Sequence, residues 1–226
     1  MRRIQIISAA ALLALALAGP VSAAANSTNH SGSADEGYGQ WSSFDAGTGI
    51  GTYGEAFAGQ ESGQPGFLKL YEESGKYVDC SAAAPGSPSP KDTGGGQGFQ
   101  GTRISAFGNL SRTTDSKLTK LTATGSIVVF VDVVDVCALT DIGTEYGNQP
   151  FTMRLTGYGS LGTYKDTSSF KMPSQFNGHS SYKITFRQAT GTVDFGIDLG
   201  SGTGRTFDAA EIDHLTWSDH CNGSGC

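Results

Sequence analysis

Residues 117–132 read KLTKLTATGSIVVFVD, and 66 residues later residues 183–198 read KITFRQATGTVDFGID. Six of the sixteen positions are identical: Lys117/Lys183, Thr119/Thr185, Ala123/Ala189, Thr124/Thr190, Gly125/Gly191 and Asp132/Asp198. Self-similarity at a fixed offset marks a repeated structural unit. Both copies are rich in β-branched residues and carry a central Thr-Gly. We read each as a hairpin turning at Thr124-Gly125 and Thr190-Gly191, where Gly is free to take φ > 0. The rival is one long strand with a bulge at the Gly.

The hairpin register pairs Lys117 with Asp132, Lys183 with Asp198 and Arg187 with Asp194. In the second copy it leaves Ile184, Phe186, Val193, Phe195 and Ile197 on the other face. One charged row and one apolar row are what a half-buried antiparallel pair requires. The run 127–136 is so β-prone that it belongs in the middle of a sheet.

Residues 1–23 have a basic start at Arg2 and Arg3, an apolar run and a small-residue end at Val21-Ser22-Ala23, the pattern of a secretory signal peptide. No later segment has the apolar length of a membrane helix, so membrane insertion is not expected. The whole chain carries a net charge of −6, and loss of Arg2 and Arg3 makes it more acidic. That balance argues against nucleic acid as a partner. With 33 Gly among 226 residues, few charges and abundant Ser and Thr, the composition is that of a turn-rich β protein.

The expected fold is therefore all-β: an antiparallel β-sandwich or barrel of about ten strands, built from two internally duplicated β-hairpin units. Residues 24–40 read as a disordered polar lead-in and residues 41–226 as one domain. Within it, a first unit covers 67–136, with a Pro/Gly/Ser-rich loop at 81–101 and a hairpin turn at Glu73-Ser74-Gly75. A second unit covers 151–199, and a C-terminal strand with a disulfide loop covers 205–226. Residues 138–150 read as a loop. Phe151, Met153 and Leu155 alternate inward, and in the last strand Leu215 and Trp217 do so. Four cysteines fit an oxidising compartment. Cys221 and Cys226 bracket a flexible loop, which leaves Cys80 to pair with Cys137.

Candidate chemistry is sparse. Gly96 to Gly101 spells GxGxxG, but it follows a Pro/Ser linker and opens a strand, not a helix, so it reads as a loop and no cofactor is expected. No Gly-x-Ser-x-Gly elbow occurs. His214 and His220 stand near Asp213 and Asp219, yet six residues along a strand is ~20 Å, which favours solvated polar side chains over a metal site. Glu211-Ile212-Asp213 resembles the Glu-x-Asp signature of the β-jelly-roll endoglucanases, which work with two glutamates. The resemblance covers three residues, and Leu215 and Thr216 stand where the second glutamate belongs.

The TATGSIVV and QATGTVDF segments behind an export signal resemble small secreted β proteins of actinobacteria, a group with no assigned activity. That resemblance implies export and brings no catalytic residue. The expected function is a secreted, non-catalytic binding module for a carbohydrate or protein ligand, with Tyr38, Tyr53, Tyr146, Tyr158 and Tyr164 as contact residues. The alternative is a secreted hydrolase of an extracellular polymer, using Glu145 with Glu211 and Asp213. Two carboxylates roughly 5–9 Å apart in a cleft would mark the enzyme. Clustered tyrosines would mark the binder.

Overall fold

The computed structural model describes residues 27–80, 97–138, 140–172, 176–198 and 202–223. The expected signal peptide and Cys226 lie outside them, as does most of the expected loop at 81–101. Ten strands follow one another: β1 (Ser27–Asp45), β2 (Ile50–Glu61), β3 (Gly66–Asp79), β4 (Gln97–Thr114), β5 (Lys120–Asp135), β6 (Thr140–Gly157), β7 (Gly162–Met172), β8 (Phe176–Asp194), β9 (Gly204–Thr206) and β10 (Ala209–Gly223). Their order in the sheet is β10-β1-β2-β3-β4-β5-β6-β8-β7, with β9 on β8 and a further pairing of β10 with β8. Eight strands thus close into a ring of largely consecutive antiparallel neighbours. The all-β antiparallel expectation holds, and of its two forms the barrel is the one formed.

Two compact units make up the chain. The larger, residues 32–165 and 182–217, contains the closed ring and the whole apolar core. In the smaller, His220 Nδ1 meets Asn29 Oδ1, Ser180 Oγ donates to Asp219 Oδ1, and Ser169 Oγ meets His179 Nδ1 at 3.1 Å.

Strand alternation builds the core of the larger unit. Leu68 and Leu70 face inward from β3, Ile104, Ala106 and Leu110 from β4, and Leu121, Ala123, Ile127 and Val129 from β5. Phe151, Met153 and Leu155 follow from β6, as their alternation indicates, and Ala189 and Val193 from β8. An eight-stranded barrel is just wide enough for side chains to fill, and this one is filled. A Cβ added at Gly37 would meet Leu121 and Leu155 at 3.0 Å, and one at Gly39 would meet Phe207 at 2.5 Å. At Gly37 and Gly39 β1 contributes only backbone, and large side chains from across the ring occupy the space there, whereas Trp41 further along is itself a core residue.

Charged groups occupy positions on the inward face toward both ends. Glu72 of β3 accepts from Arg205 of β9 through Nε at 2.6 Å and Nη2 at 2.8 Å, and from Trp41 Nε1 at 2.8 Å. The Arg205 guanidinium also stacks 5.0 Å from the Phe195 ring centroid. Eight residues further along β4 from Ile104, the partner of Glu72, Arg112 Nη2 donates to Asp35 Oδ2 at 2.9 Å. His214 Nδ1 meets the other Asp35 oxygen.

Several expectations need correction. Residues 27–40 are not a disordered lead-in; they form most of β1. Both copies of the repeat are single strands: β5 runs through Gly125 and β8 through Gly191. The rival to the hairpin is therefore nearer the structure. Glu73-Ser74-Gly75 also lies inside a strand, β3. Residues 140–150, expected in a loop, belong to β6, and residues 97–101, expected in another, open β4. Ala210 and Ile212 set the inward face of β10, so Leu215 and Trp217 fall on the outward face, where Trp217 covers Gly32.

The cysteine expectation stands for one pair. Cys80 and Cys137 are bonded and buried, joining the end of β3 to the end of β5 across 57 residues. In the chain-entropy picture a loop of that length is worth about 4 kcal/mol. A buried disulfide is compatible with an oxidising compartment. Cys221 is also disulfide-bonded.

Candidate functional site

Around the packed core the strands present an outer wall. Side chains alternate across a strand, so the residues between the core positions form that wall. On β2, β3 and β4 it is aromatic. Tyr53 faces Glu73, which faces Arg103, and Tyr77 faces Phe99. Tyr53, Glu73, Tyr77 and Phe99 line a shallow cleft of about 450 Å³, with Phe44 from the end of β1, Tyr71, Thr52 and Lys76.

The cleft has an apolar rim and a polar floor. Phe44 is 70 % exposed and Tyr77 73 %, too much for residues whose task is packing. Tyr77 meets Phe99 edge to face at 5.8 Å, which fixes its ring orientation. Behind them Arg103 lies 5.3 Å from the Phe99 centroid and donates through Nε to Glu73 Oε2 at 3.0 Å. Tyr71 OH donates to the same oxygen at 2.8 Å. Thr52, also in the cleft lining, bonds the hydroxyl of Ser74, its neighbour on β3, at 2.8 Å.

Glu73 is thus charge-paired with Arg103, and the floor offers hydrogen-bonding groups around that ion pair. Burial, then the hydrogen bond and charge of Glu73, raise the Tyr71 pKa. Burial and the charge of Glu55 raise that of Tyr38, which donates to Glu55 Oε2 at 3.2 Å beside the cleft.

Of the tyrosines singled out in the sequence, only Tyr53 lines the cleft. Tyr38, Tyr146 and Tyr164 are on strands, and Tyr158 follows β6. Tyr164 packs on Tyr182 with centroids 5.7 Å apart. Phe44, Tyr71, Tyr77 and Phe99 were not foreseen as site residues. The signal that finds them is parity: each stands out of phase with its strand's core residues.

The carboxylates gather elsewhere. Glu211 and Asp213 occupy the outward face of β10, opposite in parity to Ala210 and Ile212. Gln188 of β8 donates to Glu211 Oε2 at 2.9 Å. The third carboxyl is Glu36 of β1, 8 % exposed, and not Glu145. Glu145 lies on β6 opposite Phe130 and is exposed. Burial, then the charge and hydrogen bond of Glu211, then the charge of Glu36, push the Asp213 carboxyl up to about 8. Neither Glu211 nor Asp213 borders the aromatic cleft.

The remaining candidates are dispersed. His214 belongs to the larger unit and pairs with Asp35, while His220 belongs to the smaller and pairs with Asn29. Among the described residues no group of three or more His, Cys, Asp or Glu is placed to hold a metal ion.

The expected ion pairs do not form as drawn. Arg187 and Asp194 lie on one strand, seven residues or roughly 23 Å apart. Asp194 accepts from Gly196 N at 2.9 Å instead. Lys117 lies in the turn between β4 and β5, whereas Asp132 stands far along β5 opposite Arg103. Lys183 is in β8, while Asp198 lies beyond its end and accepts from Gly202 N at 3.0 Å.

Fold and site together define a class: a filled antiparallel barrel with an aromatic, hydrogen-bonding cleft on its outer wall. No protein-family model matches the chain, and neither does any curated protein or solved structure.

Proposed function

We propose that this is an exported, non-catalytic binding module whose aromatic cleft takes a hydroxyl-rich, flat-faced ligand: a neutral carbohydrate chain. In export and composition we place it beside the small secreted β proteins of actinobacteria. The exposed rings of Phe44, Tyr53 and Tyr77 around a charge-paired polar floor carry the proposal. Such rings offer apolar faces to the C–H face of a sugar, and the phenols with Thr52 and Lys76 supply bonds to its hydroxyls. The separation of Glu211 and Asp213 from the cleft speaks against hydrolysis there.

Calorimetric titration of residues 24–226 with a panel of soluble neutral oligosaccharides tests the proposal. Binding by at least one of them is expected. Tyr77→Ala should weaken it by roughly 2 kcal/mol, or about 30-fold, as removal of a central aromatic contact does. Tyr77 is so exposed that the thermal midpoint should barely move. Binding unchanged in Tyr77→Ala, or no binding by any neutral glycan, would sink it.

A further inference from the structure

The ring of the larger unit is closed by one strand, β10, which lies between β1 and β8. Three carboxyls converge on the outside of that closure: Glu36 from β1, and Glu211 and Asp213 from β10. Glu36 is buried, and Asp213 Oδ1 is buried with no hydrogen-bond partner among the described residues. The Gln188 amide of β8, a neutral donor, bonds Glu211.

Among the described residues no salt bridge joins a cation to the cluster. Arg112 of β4 is felt by Glu36 but bonds Asp35, on the inward face of β1. His214 of β10 also turns to Asp35. Arg187 of β8 shares the inward parity of Ala189 and Val193. Three carboxylates crowded on one seam repel one another when ionised, whereas protonated carboxyls donate to one another.

We propose that the β1–β10–β8 seam is a pH-operated latch, closed while the Glu36–Glu211–Asp213 cluster holds its protons and loosened when they leave. The geometry gives the sign. All three groups have raised pKa values, with burial the first cause in each, and Asp213 titrates at about 8 instead of 3.8. Their stabilising effect is complete below the ordinary carboxyl range. It declines as pH rises toward about 8 and is lost above it. A single proton of this kind shifts the open–closed equilibrium by up to about tenfold per pH unit across that window.

The experiment is amide hydrogen exchange of residues 24–226 at pH 5 and pH 8, corrected for intrinsic rates. Amides of residues 32–41 and 209–217 should lose at least tenfold more protection between the two than amides of residues 68–72 and 121–131. Asp213→Asn should abolish that difference. If Asp213→Asn fails to fold, Glu36→Gln should at least halve the difference on a logarithmic scale. Equal loss in both regions, no loss in either, or an undiminished difference in the folded variant would overturn the latch. None of these readouts involves the aromatic cleft, so they are independent of glycan binding.

Discussion

Glu72→Ala is expected to cost about 3–5 kcal/mol, the penalty for stripping one partner from a buried ion pair. For a chain of this size that lowers the melting midpoint by on the order of 10 °C or more. Glu72 and Arg205 have side-chain exposures of 3 % and 10 %, so neither charge can turn to solvent when its partner goes. The same truncation orphans Trp41 Nε1. It also frees β9, a three-residue strand tied to β8 through three residue pairs. Phe207, which packs tilted against Trp41 and fills the space beside Gly39, follows directly after β9. Loss of Glu72 should therefore loosen residues 204–208 as a group. A double change, Glu72→Leu with Arg205→Met, should recover most of the loss, because an apolar pair needs no partner. Urea denaturation of the three variants measures this. A cost under about 1 kcal/mol for Glu72→Ala would show that Arg205 does not depend on Glu72 for its place.

Parts of this architecture were legible and parts were not, for reasons that lie in particular residues. The inward set of β6 is plain because Phe151, Met153 and Leu155 are large and alternate with polar neighbours. β1 is illegible for the opposite reason. Its inward positions include Gly37 and Gly39, so it has no apolar rhythm, and the groups that fill its side of the core belong to β5, β6 and the segment after β9. Reading β1 as a disordered lead-in also hid Glu36, and with it the carboxyl cluster. The pair Glu211 and Asp213 was visible by spacing, but its third member comes from a strand more than 170 residues earlier. The aromatic cleft was half visible: exposed tyrosines suggested a binder, yet only strand pairing shows which rings share a wall. The disulfide was legible by elimination, since Cys221 and Cys226 are too close in sequence to leave another simple pairing.

Gly191→Val should prevent folding, and Gly191→Ala should cost about 4 kcal/mol or more, among the largest losses expected of a single methyl group. A Cβ at Gly191 would lie 2.1 Å from the backbone oxygen of Arg154 and 2.7 Å from Leu155 Cδ2. A backbone oxygen cannot rotate away, so β8 must leave β6 along the ladder from Thr152–Asp194 to Gly157–Ala189. Gly125 meets the Asn109 oxygen at 2.3 Å in the same way, which gives the repeated Ala-Thr-Gly its meaning. Both copies bring a glycine to a place where two strands approach too closely for any side chain, and inward alternation continues through it from Ala123 to Ile127 and from Ala189 to Val193. Glycine in a strand pattern marks a corner or close approach as readily as a turn. The size of the effect separates the two. A turn glycine with φ > 0 replaced by alanine loses roughly 1 kcal/mol of backbone preference, and Gly191 has no positive φ to lose. Gly147→Ala is the control: it lies in β6 with nothing within 4 Å of its added Cβ, and its stability should change by less than about 0.5 kcal/mol. Denaturation midpoints of the two alanine variants make the comparison. A cost near 1 kcal/mol for Gly191→Ala would return the repeat to a hairpin turn, whereas a large cost there with none at Gly147 fixes it as the corner where the ring bends.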